Sequence, residues 1–464
     1  MTPSRRTLAR VAAAALVVAL LVPAGVAALT HEPVEFKPGT VTERAGGDTV
    51  VGIQGFHFRG VGSSKKPARL LSVTPNGTFD WSYAGGLDRQ WFYDVDPMAN
   101  GHLFVVTPNA DRTVVGEYDP DARRMVWTER FDIHDTHDAD LLPNGDVVVA
   151  NMRETEDGVA NDRVFVYNRT LDEVTWEWRF RDHFPNDTDG GFSDDWTHLN
   201  DVDYLGGDRF LLSPRNFDQV LVVNRTTDAV EMRLGADGNH SVLHEQHNPD
   251  YLLSEEGRPT ILVADSENDR IVEYERRCAG DPVEAPPADC SWTLAWELGV
   301  GGNLTWPRDA DRLPNGNTLV TDSLNHRVVE VTPEGEVVWE YYATWGPYDA
   351  ERVGATNTSA PWTGGSARGP TMRDLNATGA YAVTGSANDP PVPEDAAGGP
   401  AAVLADAGLT PLAVGWSHVV PWVKPVWMGG WAFLAAAASL AVGLAWAGAE
   451  AWTNRRGIAA RLGR

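Results

Sequence analysis

One pattern, a hairpin of alternating apolar and polar residues around a turn, recurs six times along the chain and leaves few folds open to it. The copies run ARLLSVTPNGTFDWSYAG from Ala68, TVVGEYDPDARRMVWTERF from Thr113, DRVFVYNRTLDEVTWEWRF from Asp162, DQVLVVNRTTDAVEMRLG from Asp218, DRIVEYERR and SWTLAWELG around an insert from Asp269, and HRVVEVTPEGEVVWEYY from His326. Alternation with period two puts one face of each strand in a core, and Gly, Asn, Pro or Asp supplies the turn. A second half-unit precedes the later hairpins: DVDPMANGHLFVVTPN, DADLLPNGDVVVANMR, DVDYLGGDRFLLSPRN, PDYLLSEEGRPTILVADSEN and DADRLPNGNTLVTDSLN. A shorter relative, TVVGIQG from Thr49, serves the first. Two inner and two outer strands make a four-stranded sheet, and a unit of roughly 40 residues or more fits a propeller blade better than a solenoid coil. Closing the blades into a ring removes free sheet edges. The expected fold is all-β, a six-bladed β-propeller over residues 49–342.

The two ends read differently. Val11 to Leu29 is uncharged and follows Arg5, Arg6 and Arg10; Val426 to Gly448 is uncharged and precedes Arg455, Arg456, Arg461 and Arg464. Each run is long enough to span a hydrocarbon core of ~30 Å as a helix, and the flanking arginines put both termini on the cytoplasmic side and the propeller outside. Trp416, Trp422, Trp427 and Trp431 suit an interfacial belt beside the second run. Ser4-Arg5-Arg6-Thr7-Leu8 resembles a twin-arginine export signal, and small residues around Ala27 suit cleavage, so the first run is either an anchor or a signal. The expected order is a signal sequence or anchor at 1–30, the propeller, a loop and stalk at 343–425, a transmembrane helix at 426–448 and a basic cytoplasmic tail at 449–464. Cys278 and Cys290 bracket a Pro/Ala-rich insert, which suits a disulfide in an oxidising compartment and lacks the ligands of a metal site.

Charge narrows the partners. A formal net charge of -27 makes nucleic acid and anionic headgroups poor ones. Only four lysines occur, at 37, 65, 66 and 424, and an acidic, lysine-poor surface is what a high-salt solvent selects. Eight Asn-x-Ser/Thr sequons suit a glycosylated surface protein, three of them (Asn76, Asn168, Asn224) in equivalent hairpin turns.

The inner half-units each carry an Asp before their turn: Asp96, Asp140, Asp203, Asp250 and Asp311. A residue this periodic serves the period, here by capping backbone amides at blade junctions, in preference to a ring of metal ligands. Three residues before each Asp stand Tyr93, His137, Asn200, His247 and Arg308, which face the axis from successive blades. His134, His198 and His244 lie close by, and His134 and His244 offer an alternative register to His137 and His247. Arg153 and Arg215 fall where later blades have Ser266 and Ser323. Histidine, arginine and asparagine around one axis make a pocket for an anion.

The segments HDTHDADLLPNGDVVVA, DWTHLNDVDYLGGDRFLLSPRN and HEQHNPDYLL resemble the 3′-phosphoadenylylsulfate-independent arylsulfate sulfotransferases, six-bladed propellers that act outside the cytoplasm. The resemblance covers roughly Thr49 to Tyr342, and its most specific part is the His198-x-Asn200 pair followed by Arg215 on the next strand. It implies that His247 is the nucleophile and carries the sulfuryl group, while His137, His198, Asn200 and Arg215 hold sulfate oxygens and help a phenol leave. His134, His244, Arg308, Arg153 and Tyr93 would complete a substrate pocket for an aryl sulfate donor and a hydroxyl acceptor. No cofactor and no metal is called for. The chain departs from the family in lacking room for an N-terminal β domain and in its C-terminal apolar run, and it sets no oligomeric state.

Two other readings stand beside this one. VADSENDRIVEY and VTDSLNHRVVEV resemble NHL-type repeats, which implies a non-catalytic binding propeller at the cell surface. A calcium-dependent, lactonase-like hydrolase would need several axial carboxylates, and Asp135 and Asp138 are the candidates.

Overall fold

The computed structural model describes residues 4–31, 36–55, 57–58, 61–62, 66–85, 91–109, 112–280, 282–353, 369–387 and 399–462. Lys65, the sequon at Asn357, Arg464 and most of the stretch from Ala355 to Ala401 lie outside them, as do the side chains beyond Asn454. The chain divides into two units, Phe36–Ala387 and the pair of terminal segments Met1–Glu35 and Asn388–Arg464.

Phe36–Ala387 is a six-bladed β-propeller of antiparallel blades. From the axis outward, blade two is Asp94–Pro97, Leu103–Pro108, Thr113–Asp119 and Arg124–Phe131. Blades three to six repeat this plan, with innermost strands Ala139–Leu141, Leu199–Gly206, His247–Leu253 and Pro307–Arg312. Blade one is closed from the far end of the chain. Its innermost strand is Pro347–Val353, paired with Asp48–Ile53 in register from Asp48 opposite Val353 to Ile53 opposite Pro347. TVVGIQG is therefore the second strand of its blade, and the expected loop after residue 342 begins with the strand that locks the ring. Lys37–Val41 adds a fifth, outermost strand to blade six, so the ring is fastened from both ends of the unit.

The expected stalk is also partly docked. Gly379–Tyr381 runs parallel to the outer strand of blade five, and Met372, Ala377 and Val383 are buried with Trp296, Leu298, Leu304 and Val337. The Met372 amide donates to the Glu273 carboxylate at 2.9 Å. Cys278 and Cys290, opposite each other on the two outer strands of that blade, form a disulfide.

Alternating patterns become layers between blades. Trp178, Phe180, Phe184, Trp196 and Phe217 pack together between blades three and four, and full burial of each such side chain contributes ~1.5–3 kcal/mol. The repeated acids work at the axis. Asp140 Oδ2 accepts from the Tyr204 amide at 2.9 Å, which joins the innermost strand of blade three to that of blade four. Asp138 reaches Val202 N at 2.5 Å, Asp349 reaches Val95 N at 2.8 Å and Asp309 reaches Ala350 N at 3.2 Å in the same way. Carboxylates thus cap amides across three of the blade junctions; of the five periodic acids Asp140 does so, and the other three of these caps come from acids two residues earlier on their strands.

In the other unit, helices Arg5–Thr30 and Gly430–Leu462 are apolar and long enough to cross a membrane. They pair antiparallel: Arg6 and Arg10 near the start of the first reach Glu450 late in the second at 3.0 and 2.6 Å, and Ala24 packs on Met428 and Ala432. The second helix begins at Gly430 rather than Val426, after a turn in which the Met428 amide donates to Pro425 O. Two further helices, Pro400–Asp406 and Thr410–Val423, fall within the segment expected to be a stalk.

Candidate active site

The chain reaches the axis at one repeat position in every blade. The residues there are Tyr93, His137, Asn200, His247, Arg308 and, from the closing strand, Tyr348. Five of them form one cluster, and the sixth, Asn200, is buried and donates from Nδ2 to Gln246 O at 2.8 Å. Tyr93 lies 4.2 Å from His137 and 4.7 Å from Tyr348 between ring centroids, and Tyr348 lies 5.9 Å from His247. The Tyr348 hydroxyl is 2.8 Å from His137 Nδ1, and the Arg308 guanidinium sits 4.7 Å over the Tyr348 ring. Gln54 links Arg308 to the Tyr93 hydroxyl.

Two residues before this position, five of the six blades adopt a left-handed backbone: Asp135 (φ 52°), His198 (43°), Glu245 (48°), Trp306 (50°) and Gly346 (64°). For a residue with a Cβ this costs on the order of 1–3 kcal/mol, and such strain gathers at functional sites. The kink brings these side chains to the pocket as well. His198 lies 5.0 Å from His137, Asp135 Oδ1 is 3.7 Å from His137 Nε2, and Trp306 stacks under Arg308 at 4.6 Å.

The same kink separates the two sets of histidines in space. His137 and His247 face the pocket, whereas His134 and His244 precede the left-handed residue and are turned away. His134 is 55% exposed beside Glu154, and His244 stacks on His240 at 3.8 Å, so neither joins the substrate pocket expected of them. Arg215 lines the pocket wall, with Nη2 3.3 Å from Glu245. Arg153 is committed to carboxylates: its Nη1 is 3.0 Å from Asp135, and its Nε and Nη2 are 3.0 and 3.1 Å from Asp195. Tyr348, Asp195 and Trp306 were not marked by the sequence pattern. Tyr348 was findable, because Tyr348-Asp349-x-Glu351 repeats the spacing of Tyr93-Asp94-x-Asp96.

His247 is fully buried, and its hydrogen bonds define its tautomer. Its Nδ1 is 2.8 Å from Ser266 Oγ, which lies 2.7 Å from Pro307 O and 3.4 Å from Ala264 O. The single hydroxyl proton goes to a carbonyl, so Ser266 accepts and Nδ1 carries the hydrogen. Nε2 keeps its lone pair and has no hydrogen-bond partner among the described residues. Burial, followed by the charges of Arg308 and Arg215, pushes the His247 imidazole well below its usual range. Burial and then Arg215 push His198 down to about 3 against the pull of Asp195, and burial lowers His137. All three imidazoles are neutral at neutral pH.

Further along the same strands the channel is acidic. Asp94, Asp138, Asp201, Asn248, Asp309 and Asp349 line it, followed two residues on by Asp96, Asp140, Asp203, Asp250, Asp311 and Glu351, around about 430 Å³ of space. Burial, then the neighbouring carboxylates, raise Asp94, Asp140 and Asp349 well above the usual carboxylate range; burial, then Asp203, raises Asp138 to about 7. Among the described residues no group of three or more His, Cys, Asp or Glu is arranged to hold a metal ion.

Residues 66–269 match the arylsulfotransferase (ASST) family model, a span that holds His137, His198, Asn200, Arg215, His247 and Ser266. No curated protein matches the chain. Among solved structures it is similar to a protein of unknown function from Bacteroides caccae (13% identity, 65% of this chain and 99% of that one, TM-score 0.41). It is also similar to virginiamycin B lyase from Staphylococcus aureus (9% identity, 70% and 90%, TM-score 0.38). An auxiliary nutrient binding protein from Bacteroides thetaiotaomicron is a third (12% identity, 62% and 74%, TM-score 0.39). Tyr93 also lies within the matched span, whereas Trp306, Arg308 and Tyr348 lie beyond it.

Proposed function

We propose that this chain is an arylsulfotransferase that moves a sulfuryl group from an aryl sulfate to a hydroxyl acceptor through His247. The observation that carries the reading is the buried, neutral imidazole of His247, tied at Nδ1 and unpartnered at Nε2, within the segment that matches the arylsulfotransferase family.

The chemistry follows from that atom. The Nε2 lone pair attacks sulfur, the bond from sulfur to the aryl oxygen breaks, and the oxygen leaves with the electron pair. The imidazole ring then carries the positive charge of the sulfohistidine, Nδ1 keeps its hydrogen, and Ser266 Oγ accepts the hydrogen bond from it. In the second displacement an acceptor oxygen attacks sulfur, the bond to Nε2 breaks, and the imidazole regains its pair. Charge spreads over the equatorial oxygens at each transfer, and fixed donors lower that barrier. Arg308 and Arg215 supply them, and Arg215 suits a fork on two oxygens. Tyr93, Tyr348 and Trp306 give an aromatic wall for the aryl group.

The propeller works on the extracytoplasmic side, with both helices crossing the membrane. The antiparallel pairing of Arg6 and Arg10 with Glu450 supports a common side for the two termini, and their arginine flanks make that side cytoplasmic.

The purified full chain, mixed with 4-nitrophenyl sulfate and no acceptor, is expected to release one equivalent of phenol in a burst. The burst should vanish in His247→Ala and persist in His134→Ala and His244→Ala. A burst that survives His247→Ala would reject the assignment.

A further inference from the structure

His198 is held differently from a residue that grips sulfate. Its Nδ1 lies 2.9 Å from both oxygens of Asp195. Burial alone would raise Asp195, but the hydrogen bond and charge of His198, with Arg153, hold it below the usual carboxylate range. An ionised carboxylate only accepts, so His198 Nδ1 carries the hydrogen and Nε2 presents a lone pair. A neutral imidazole in that tautomer has no donor for an anionic sulfuryl oxygen. It has a place for a proton: burial and the Arg215 charge push this imidazole down, and the negative oxygens of a sulfuryl group bound beside it would offset that charge and make it a stronger base.

The carboxylate is itself fixed. Arg153 grips Asp195 with Nε and Nη2 and holds Asp135 with Nη1, and Asp135 also accepts from the Tyr93 hydroxyl at 3.3 Å. The loop around Asp195 has its own backbone ties. The Asn216 amide donates to Asp195 O at 2.5 Å, and the Asp195 amide donates to Ser193 Oγ at 3.3 Å. Neither uses the carboxylate, so its four contacts to His198 and Arg153 serve the imidazole and not the loop.

We propose that Asp195, braced by Arg153, is a positioning residue that keeps His198 Nε2 open, and that His198 takes the proton of the acceptor hydroxyl. This rests on the sulfuryl transfer proposed above. In the second displacement the acceptor O–H bond breaks and its proton passes to His198 Nε2. The oxygen's electron pair forms the O–S bond as the S–N bond to His247 breaks. The imidazolium of His198 is paired with Asp195 until it returns the proton to a departing aryloxide or to water. Arg153, marked by the sequence as a substrate contact, acts here as a brace.

The two half-reactions separate this role from a structural one. In Asp195→Asn the amide can offer a hydrogen to Nδ1 and move the imidazole hydrogen to Nε2. The burst from 4-nitrophenyl sulfate, whose phenolate leaves without a proton, should keep its size and rate within a few-fold. Turnover to acceptors should fall by about 10²-fold or more for weakly acidic hydroxyls and less for acidic phenols. Arg153→Gln, which loosens Asp195 without touching His198, should give the same split at smaller size, and Asp195→Glu should restore part of the loss. Equal slowing of burst and turnover, or a loss independent of acceptor acidity, would overturn the proposal. If the wild-type chain gives no burst with any aryl sulfate, the sulfuryl-transfer reading falls first and takes this one with it.

Discussion

The two levels of the central channel are built on the same six strands and follow opposite rules. At the pocket the equivalent residues are Tyr, His, Asn, His, Arg and Tyr; one step along they are Asp in every blade but the fifth, where Asn248 stands. The acids repeat because the task repeats. Three blade junctions show amides capped in this way, as Asp140 does for Tyr204, and a net hydrogen bond of this kind contributes roughly 0.5–1.5 kcal/mol. The pocket residues differ from blade to blade because no one task repeats there, although Asn200 does donate to Gln246 O across one junction. The left-handed residues that precede them bear the local cost of that freedom.

The comparison breaks most sharply at His247. Removing this proposed nucleophile should lower turnover by roughly 10⁴-fold or more, whereas Asp140→Asn, one level down, should leave turnover within a few-fold and register in thermal unfolding instead. Steady-state kinetics and melting curves on both variants would test the division. A smaller loss, roughly 10²-fold in kcat, is expected for Ser266→Ala, which removes the acceptor that fixes the His247 tautomer. Rescue by Ser266→Thr would attribute that loss to the hydroxyl.

The acidic level should show itself in stability against pH. Asp138 has a folded-state value raised to about 7, above the unfolded carboxylate value of about 3.9. Such a group contributes stability that is full below the unfolded value and is lost as pH rises through the folded one. Unfolding temperature should therefore fall between about pH 4 and pH 7. Asp138→Asn, which keeps an acceptor for the Val202 amide, should flatten that fall by on the order of 1 kcal/mol, about 2–4 °C. The smallest effect belongs to the pocket. Because His247 is pushed well below an ordinary imidazole, the burst rate should stay level as pH drops from 8 through 6.5. An inflection near 6.5 would mean that the nucleophile sits in a wetter site.

Much of this was legible in the sequence, for a reason that also marks its limit. Repetition displayed the blades, the acid position and five of the six pocket residues. Tyr348 escaped because its strand closes the ring alone: Pro347–Val353 has no partner hairpin after it and no Asn-Gly turn, so it reads as loop. The choice between His137 and His134, or His247 and His244, depends on one left-handed φ at Asp135 and Glu245, which residue identity does not encode. Asp195 and Ser266 act through hydrogen bonds to other side chains, and no periodicity announces those. The alignment of Arg153 with Arg215 says nothing of Asp135 and Asp195, the carboxylates that Arg153 meets in the structure.

The most direct test of the central claim is an intact-mass measurement of the full chain after exposure to an aryl sulfate without acceptor, with peptide mapping of any adduct. One sulfuryl group on the peptide containing His247, removed by adding a phenol and absent in His247→Ala, is the result this account predicts. An adduct mapped to His137, His198 or any other residue, or a folded chain that gains nothing from several aryl donors, would contradict it.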